Sequence, residues 1–148
     1  MPKSTRSALI AKADKVFSRY IRYRDGQKLI NDDTGEEEWW TQCITCDEWK
    51  PMNKMHAGHF QSRRYMATRW EEFNVNGQCA KCNTFNAGEQ YKYAKALEDK
   101  YGKGVSEQLE VIARKPTKIT EDQIRVIMLW TFFLWKCFFK NIFICHKL

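Results

Sequence analysis

The apolar positions near the start of the chain fall at Leu9, Ala13, Val16, Phe17, Tyr20 and Ile21, the three-and-four spacing of one helical face. Ser4 or Thr5 stands where an N-cap belongs, and Asp25-Gly26 ends the run. Asn31 to Gly35 reads as a turn that leads through an acidic patch to Trp39-Trp40. Met55 to Phe60 and Asn74 to Gln78 read as short extended segments, with the arginine-rich loop Gln61 to Trp70 between them. A helix is predicted to begin just after Cys82 and to run from about Ala87 to Tyr101, where Gly102 and Gly104 stop it. Val105 to Ala113 forms a further helix, interrupted by Lys115-Pro116. Thr120 with Gln123 makes a capping box for a last helix from Glu121. The pattern predicts an α+β protein.

The end of the chain breaks this pattern. From Val126 to Ile144 nearly every residue is apolar, which approaches the roughly 20 residues that a membrane span needs. Lys136, Lys140 and Asn141 share one face of that stretch, and a lysine at the bilayer centre costs about 2.5–3.5 kcal/mol. The tail is therefore expected to be an amphipathic helix packed on the domain or on a second copy, not a membrane segment.

The length of 148 residues suits one domain with helical extensions. We divide it into a basic N-terminal helix (residues 1–30), a zinc-stapled core (38–102) and C-terminal helices with the apolar tail (103–148). A formal charge of +7 points to an acidic partner, with nucleic acid ahead of an anionic membrane. Arg19 and Arg22 belong to the basic N-terminal helix, which is suited to tracking a phosphate backbone. Asp32, Asp33, Glu36, Glu37 and Glu38 form an opposing acidic patch that solvation alone would explain. The polar, basic opening residues lack the apolar core of a secretory signal, so a cytoplasmic location is expected.

In a reducing compartment the paired Cys-x-x-Cys units read as metal ligands rather than disulfides. Cys43, Cys46, Cys79 and Cys82 would hold one tetrahedral zinc ion with all four positions filled, a structural site with no room for a reacting water. Cys137 and Cys145 lie apart and are expected to be buried thiols. Catalysis would then need a different centre, for which the two histidines and Asn83 are left. His59 has the properties of a general base that takes a proton from water attacking a phosphodiester. A hard divalent ion, magnesium or alternatively manganese, would stabilise the charge that develops. Asn83 offers that ion an amide oxygen, and His56 either adds a second ligand or holds the strand. Asn74 can bond a backbone carbonyl or the base histidine and so fix the loop. Arg63, Arg64 and Arg69 flank the base as phosphate contacts.

The run His56-Ala57-Gly58-His59-Phe60-Gln61-Ser62-Arg63-Arg64, followed by Asn74-Val75-x-Gly77-Gln78-Cys79-x-x-Cys82-Asn83, resembles the NinG (Rap) family of phage recombination endonucleases. The similarity extends from the helix Ala11 to Arg22 to about Ile127. The Cys-x-x-Cys-Asn unit is also similar to that of phage endonuclease VII. The resemblance implies a ββα-metal (His-Me finger, HNH) core, branched DNA as substrate and cutting during recombination. It places His59 at the general base, Asn83 at a metal-binding asparagine and the four cysteines on zinc.

This chain departs from that pattern in three places. Position 83 is an asparagine where other His-Asn-His enzymes carry a histidine, a change that endonuclease VII tolerates. Many relatives carry an aspartate immediately before the base, where Gly58 stands here, leaving His56 as the nearest second ion ligand. The apolar tail after Leu129 replaces the charged helix end usual in the family, and a shifted reading frame there would produce it.

These observations combine into a divalent-metal-dependent endodeoxyribonuclease that leaves 5′-phosphate ends. Paired cuts at a four-way junction lead us to expect a homodimer. Two other functions fit parts of the sequence. A non-catalytic zinc-knuckle DNA-binding protein needs the cysteines and basic helix but not His59 or Asn83. A sequence-tolerant nicking nuclease would act on linear DNA as well.

Overall fold

The computed structural model describes residues 5–139. The expected roles of Ser4, Lys140, Asn141 and Cys145 lie outside them. Helix α1 spans Arg6–Arg24, and the Thr5 hydroxyl accepts the Ala8 amide at 3.3 Å as its N-cap. Leu9, Ala13, Phe17, Tyr20 and Ile21 are buried along one side, as their spacing predicts, while Val16 is half-buried at its margin.

Three strands follow that the apolar pattern does not foretell. β1 (Gly26–Ile30), β2 (Glu37–Gln42) and β3 (Trp49–Pro51) form an antiparallel sheet in that order. Thr41 is the only fully buried residue among them, so no in–out alternation of side chains marks them in the sequence. The predicted turn Asn31 to Gly35 is the β1–β2 connection, closed by the Gly35 amide donating to the Asn31 carbonyl at 2.7 Å.

The two predicted extended segments are β4 (Met55–His59) and β5 (Val75–Cys79). They pair antiparallel, with Met55 opposite Cys79 and His59 opposite Val75. β5 is buried along its whole length. Gly77 lets β2 approach it, since a Cβ there would lie 2.6 Å from the Thr41 methyl group.

After β5 the chain makes one π-helical turn, Lys81–Phe85, and then passes through Ala87, Gly88 and Glu89, all with positive φ. That reversal, disfavoured for L-residues, delays α2 to Gln90–Tyr101, later than the sequence pattern predicts. α3 (Val105–Ala113) follows as predicted. The last helix, α4 (Glu121–Phe139), opens on a reciprocal capping box: the Thr120 amide donates to Gln123 at 2.8 Å and the Gln123 amide to Thr120 at 3.2 Å.

The apolar interior has several parts. Phe60, Tyr93, Leu97, Val105 and Leu109 join β4 to α2 and α3. Leu9, Ala13 and Ile124 join α1 to α4, and Leu134 and Trp135 pack on Phe17, Tyr20, Ile21 and Val75. The inner side of the tail's described part, up to residue 139, thus packs on the domain. Its outer side leaves Val126, Leu129, Trp130 and Phe133 exposed. Among the described residues no helix is long and apolar enough to cross a membrane.

A polar knot ties α1 to β5 and α2. Arg24 is paired with Asp25 at 2.8 Å and donates to the Val75 carbonyl and the Asn76 amide oxygen. Asp25 in turn accepts from the Gly77 amide and from Lys100. Burial alone would raise the Asp25 carboxyl, but its bond to Arg24 and the adjacent positive charges hold it below the usual range.

Candidate functional site

The four cysteines converge. Cys43 and Cys46 flank the turn before β3, Cys79 ends β5 and Cys82 lies in the π-helical turn. Their sulfur atoms all lie within 4.8 Å of one another, and Cys46 Sγ is 3.9 Å from Cys79 Sγ. A tetrahedral zinc–thiolate centre with bonds of about 2.3 Å puts its sulfurs about 3.8 Å apart, so the residues fit that ion. Thiolate character is favoured at Cys43, whereas burial pushes the Cys46 and Cys82 thiols up. Burial would raise the Cys43 thiol, yet the Thr45 hydroxyl and the amides of Cys79, Thr45 and Cys46 outweigh it and bring it to about 7. Among the described residues this is the only cluster of three or more His, Cys, Asp or Glu side chains arranged to hold a metal.

His59 ends β4, opposite the end of β5 nearest the loop Gln61 to Trp70. Its Nε2 lies 2.9 Å from the Arg69 carbonyl. A carbonyl can only accept, so Nε2 carries the hydrogen and a neutral ring keeps its lone pair on Nδ1. Burial pushes the imidazole below its ordinary value and the Arg63 charge adds to that, against the pull of the Arg69 and Ala57 carbonyls. Burial thus disfavours the charged ring, and the Arg69 carbonyl favours the hydrogen on Nε2.

Asn74 is fully buried and fixes that loop. Its amide donates to the carbonyls of Gln61 (3.0 Å) and Thr68 (2.9 Å), and its oxygen accepts the Gln61 amide at 2.7 Å. Of the two partners the sequence allows, it takes backbone carbonyls and not the histidine, so Asn74 holds the loop whose Arg69 carbonyl meets His59. Asp14 works on the same loop from α1. It accepts from both Arg69 nitrogens, at 3.0 and 2.6 Å, and from the Trp70 indole at 3.0 Å. Nothing local in the sequence singles out Asp14, which reads as one more charge on a helix.

His56 and Asn83 meet from opposite sides, with Asn83 Nδ2 2.9 Å from His56 Nδ1. Asn83 sits beside Cys82 in the same π-helical turn, so one turn links the cysteine cluster to the His56–Asn83 pair. Gly58 also has a structural cause. A Cβ there would lie 2.9 Å from the Gln78 Cβ and closer still to its amide. Gln78 is fully buried and donates to the Gly88 carbonyl at 2.9 Å, so it has no room to move. A carboxylate cannot stand at position 58 in this packing.

These residues line a two-lobed cleft. One lobe, of about 360 Å³, is bounded by Asp14, Arg22, Asn53 and His56. The other, of about 460 Å³, is bounded by Ser62, Arg64, Tyr65 and Gly88. Ala57, His59, Arg63 and Asn83 border both lobes. A larger cavity of about 840 Å³, between Asp25, Thr45 and Lys95, contains none of these groups.

The five arginines expected at phosphate differ in how free they are. Arg63 and Arg64 are exposed on the cleft, although Arg64 lies over the Tyr65 ring. Arg22 lines the cleft while donating to the Ser18 and Met52 carbonyls. Arg19 stacks on Trp135 at 4.4 Å. Arg69 corrects the expectation. Its guanidinium is taken up by Asp14 and by the Arg63 carbonyl at 2.6 Å, making it a loop clamp and not a free phosphate contact.

No curated protein and no solved structure matches the chain. The model of the family described as Bacteriophage Lambda NinG protein matches residues 2–132, ending inside α4 where the apolar tail takes over. That match takes in α1, both cysteine knuckles, the β4–β5 hairpin and the cleft residues, and the chain belongs to the NinG family.

Proposed function

We propose that the protein is a DNA endonuclease of the HNH type, acting with a divalent ion on branched recombination intermediates. Family membership suggests a phage recombination-related function, and the chemistry is inferred from the cleft. The observation that carries it is the Nε2 bond of His59 to the Arg69 carbonyl, which leaves a lone pair on Nδ1 of a ring kept neutral by burial. In this reading β4, β5 and the helical segment after them form a zinc-stapled ββα-metal core.

His59 takes the proton of a water molecule as its oxygen attacks phosphorus. The bond from phosphorus to the 3′ oxygen breaks, the 3′ oxygen is protonated from solvent, and the ends are 5′-phosphate and 3′-hydroxyl. His56 and Asn83 would hold the ion, magnesium or manganese, which stabilises the charge on the phosphoryl oxygens and leaving group. Arg63 and Arg64 would grip flanking phosphates.

The test is cleavage of labelled four-way-junction and linear DNA by wild type and His59→Ala at equal zinc content. Junction cutting that disappears in the variant, with DNA binding intact, is the expected result. Wild-type protein that binds DNA but cuts neither substrate with magnesium, manganese or cobalt would overturn the proposal in favour of a binding module. Equal cutting of linear and branched DNA would overturn its junction preference.

A further inference from the structure

We infer that the His56–Asn83 pair makes the cleft selective for a borderline transition-metal dication over magnesium. This rests on reading those two residues as the ion ligands and goes on to the class of ion they take.

The two side chains already meet at 2.9 Å, and adjacent ligands of an octahedral ion with bonds of about 2.1 Å lie about 3.0 Å apart. Turning the Asn83 amide over brings its oxygen to the same place as its nitrogen. The spacing is that of a hydrogen bond and is also compatible with two ligands of a six-coordinate ion, so the donor types decide which ion fits. Magnesium favours carboxylate, carbonyl and water oxygens, whereas imidazole suits cobalt, nickel, copper and zinc better.

A carboxylate is what this cleft lacks. Asp14 is the only acidic residue on its walls, and Arg69 and Trp70 occupy it. Position 58 cannot carry one, because Gln78 fills the space. Both candidate ligands are neutral, and Arg22 and Arg63 face the same cavity. A hard dication therefore finds no anionic partner until a DNA phosphate arrives, while an ion that bonds well to nitrogen needs none. His56 is exposed, so its ring is accessible from solvent.

The experiment uses the full-length, zinc-saturated protein without DNA, titrated separately with Co2+ and Mg2+ while the ring resonances of His56 are followed by NMR. Co2+ should shift those resonances and saturate at a concentration roughly tenfold or more below that for Mg2+. His56→Asp should reverse the order by strengthening Mg2+ binding, and His56→Ala should abolish the Co2+ response at Asn83. Equal affinities, unmoved His56 resonances, or no binding of either ion would overturn the inference. Cleavage assays give an independent answer. If Co2+ binds selectively but no ion supports cutting, the site stands and the nuclease proposal falls. If Mg2+ binds and supports cutting as well as Co2+, the nuclease stands and the selectivity falls.

Discussion

Asn74→Ala is the sharpest test of how the base is held. The side chain is fully buried and makes three hydrogen bonds, to the Gln61 amide, the Gln61 carbonyl and the Thr68 carbonyl. At about 1 kcal/mol net for each bond, its removal should cost about 3 kcal/mol, and more if the three main-chain groups stay dry. That is a large share of the 5–15 kcal/mol typical of a domain. Asn74→Asp separates hydrogen bonding from loss of bulk. An aspartate keeps the acceptor for the Gln61 amide but, when ionised, has no hydrogen for the two carbonyls it faces. Its folded-state pKa should lie above the unfolded value near 3.9. The variant should therefore regain stability relative to wild type as the pH falls toward that folded pKa, and Asn74→Ala should not. Urea unfolding of the zinc-saturated proteins at pH 7 and pH 5 measures both effects. A loss below about 1 kcal/mol for Asn74→Ala would refute the accounting. So would an Asn74→Asp variant with no acid recovery.

The other predictions concern charge, protonation and metal. Arg63→Ala should weaken DNA binding and make log K about 0.9 less steep in log salt, as loss of one phosphate contact requires. Arg69→Ala should leave that slope unchanged but cost about 2 kcal/mol of stability, discounted from the value for a fully buried pair because both partners keep some exposure. Fluorescence anisotropy over a salt series, alongside urea unfolding, separates the two. Because burial depresses the His59 pKa, its neutral form contributes stability that is present above the unfolded value near 6.5 and lost as the pH falls through the folded value. The His59 ring should titrate by NMR below about 6.5, and a midpoint at or above that value contradicts the burial argument. Removing zinc with a chelator should lower the thermal midpoint by more than about 10 °C, and an unchanged midpoint would show that the four cysteines do not staple the fold.

What was legible in the sequence was whatever an apolar period or a spacing encodes. α1, β4, β5, α3 and the Thr120–Gln123 cap follow from such signals, and so do the four converging cysteines. The β1–β2–β3 sheet was not legible, because Gln27, Lys28, Glu37 and Gln42 stay in solvent and only main-chain pairing defines those strands. The late start of α2 escaped as well, since neither Ala87 nor Glu89 advertises a left-handed conformation. At the site, residue types suggested His59, His56 and Asn83 as candidates. The commitment of Arg69 to Asp14 could not be read, because those residues meet only through tertiary packing of α1 on the loop.

The hairpin itself explains why one base needs so many supports. β4 and β5 each have only five residues, too short to hold a fixed geometry alone. At one end Met55 lies opposite Cys79, and the cysteine cluster fastens that end. At the other end His59 lies opposite Val75, away from the cysteine cluster. There the fastening is polar: Asn74 closes the loop on itself, while Asp14 ties Arg69 and Trp70 to α1. The Arg69 carbonyl that orients the imidazole belongs to this second clamp. Zinc on the four cysteines would thus set where the hairpin lies, and the loop clamp orients the His59 ring. Loss of zinc should destabilise the whole domain, whereas loss of Asp14 should leave it folded with a His59 ring no longer held to one tautomer.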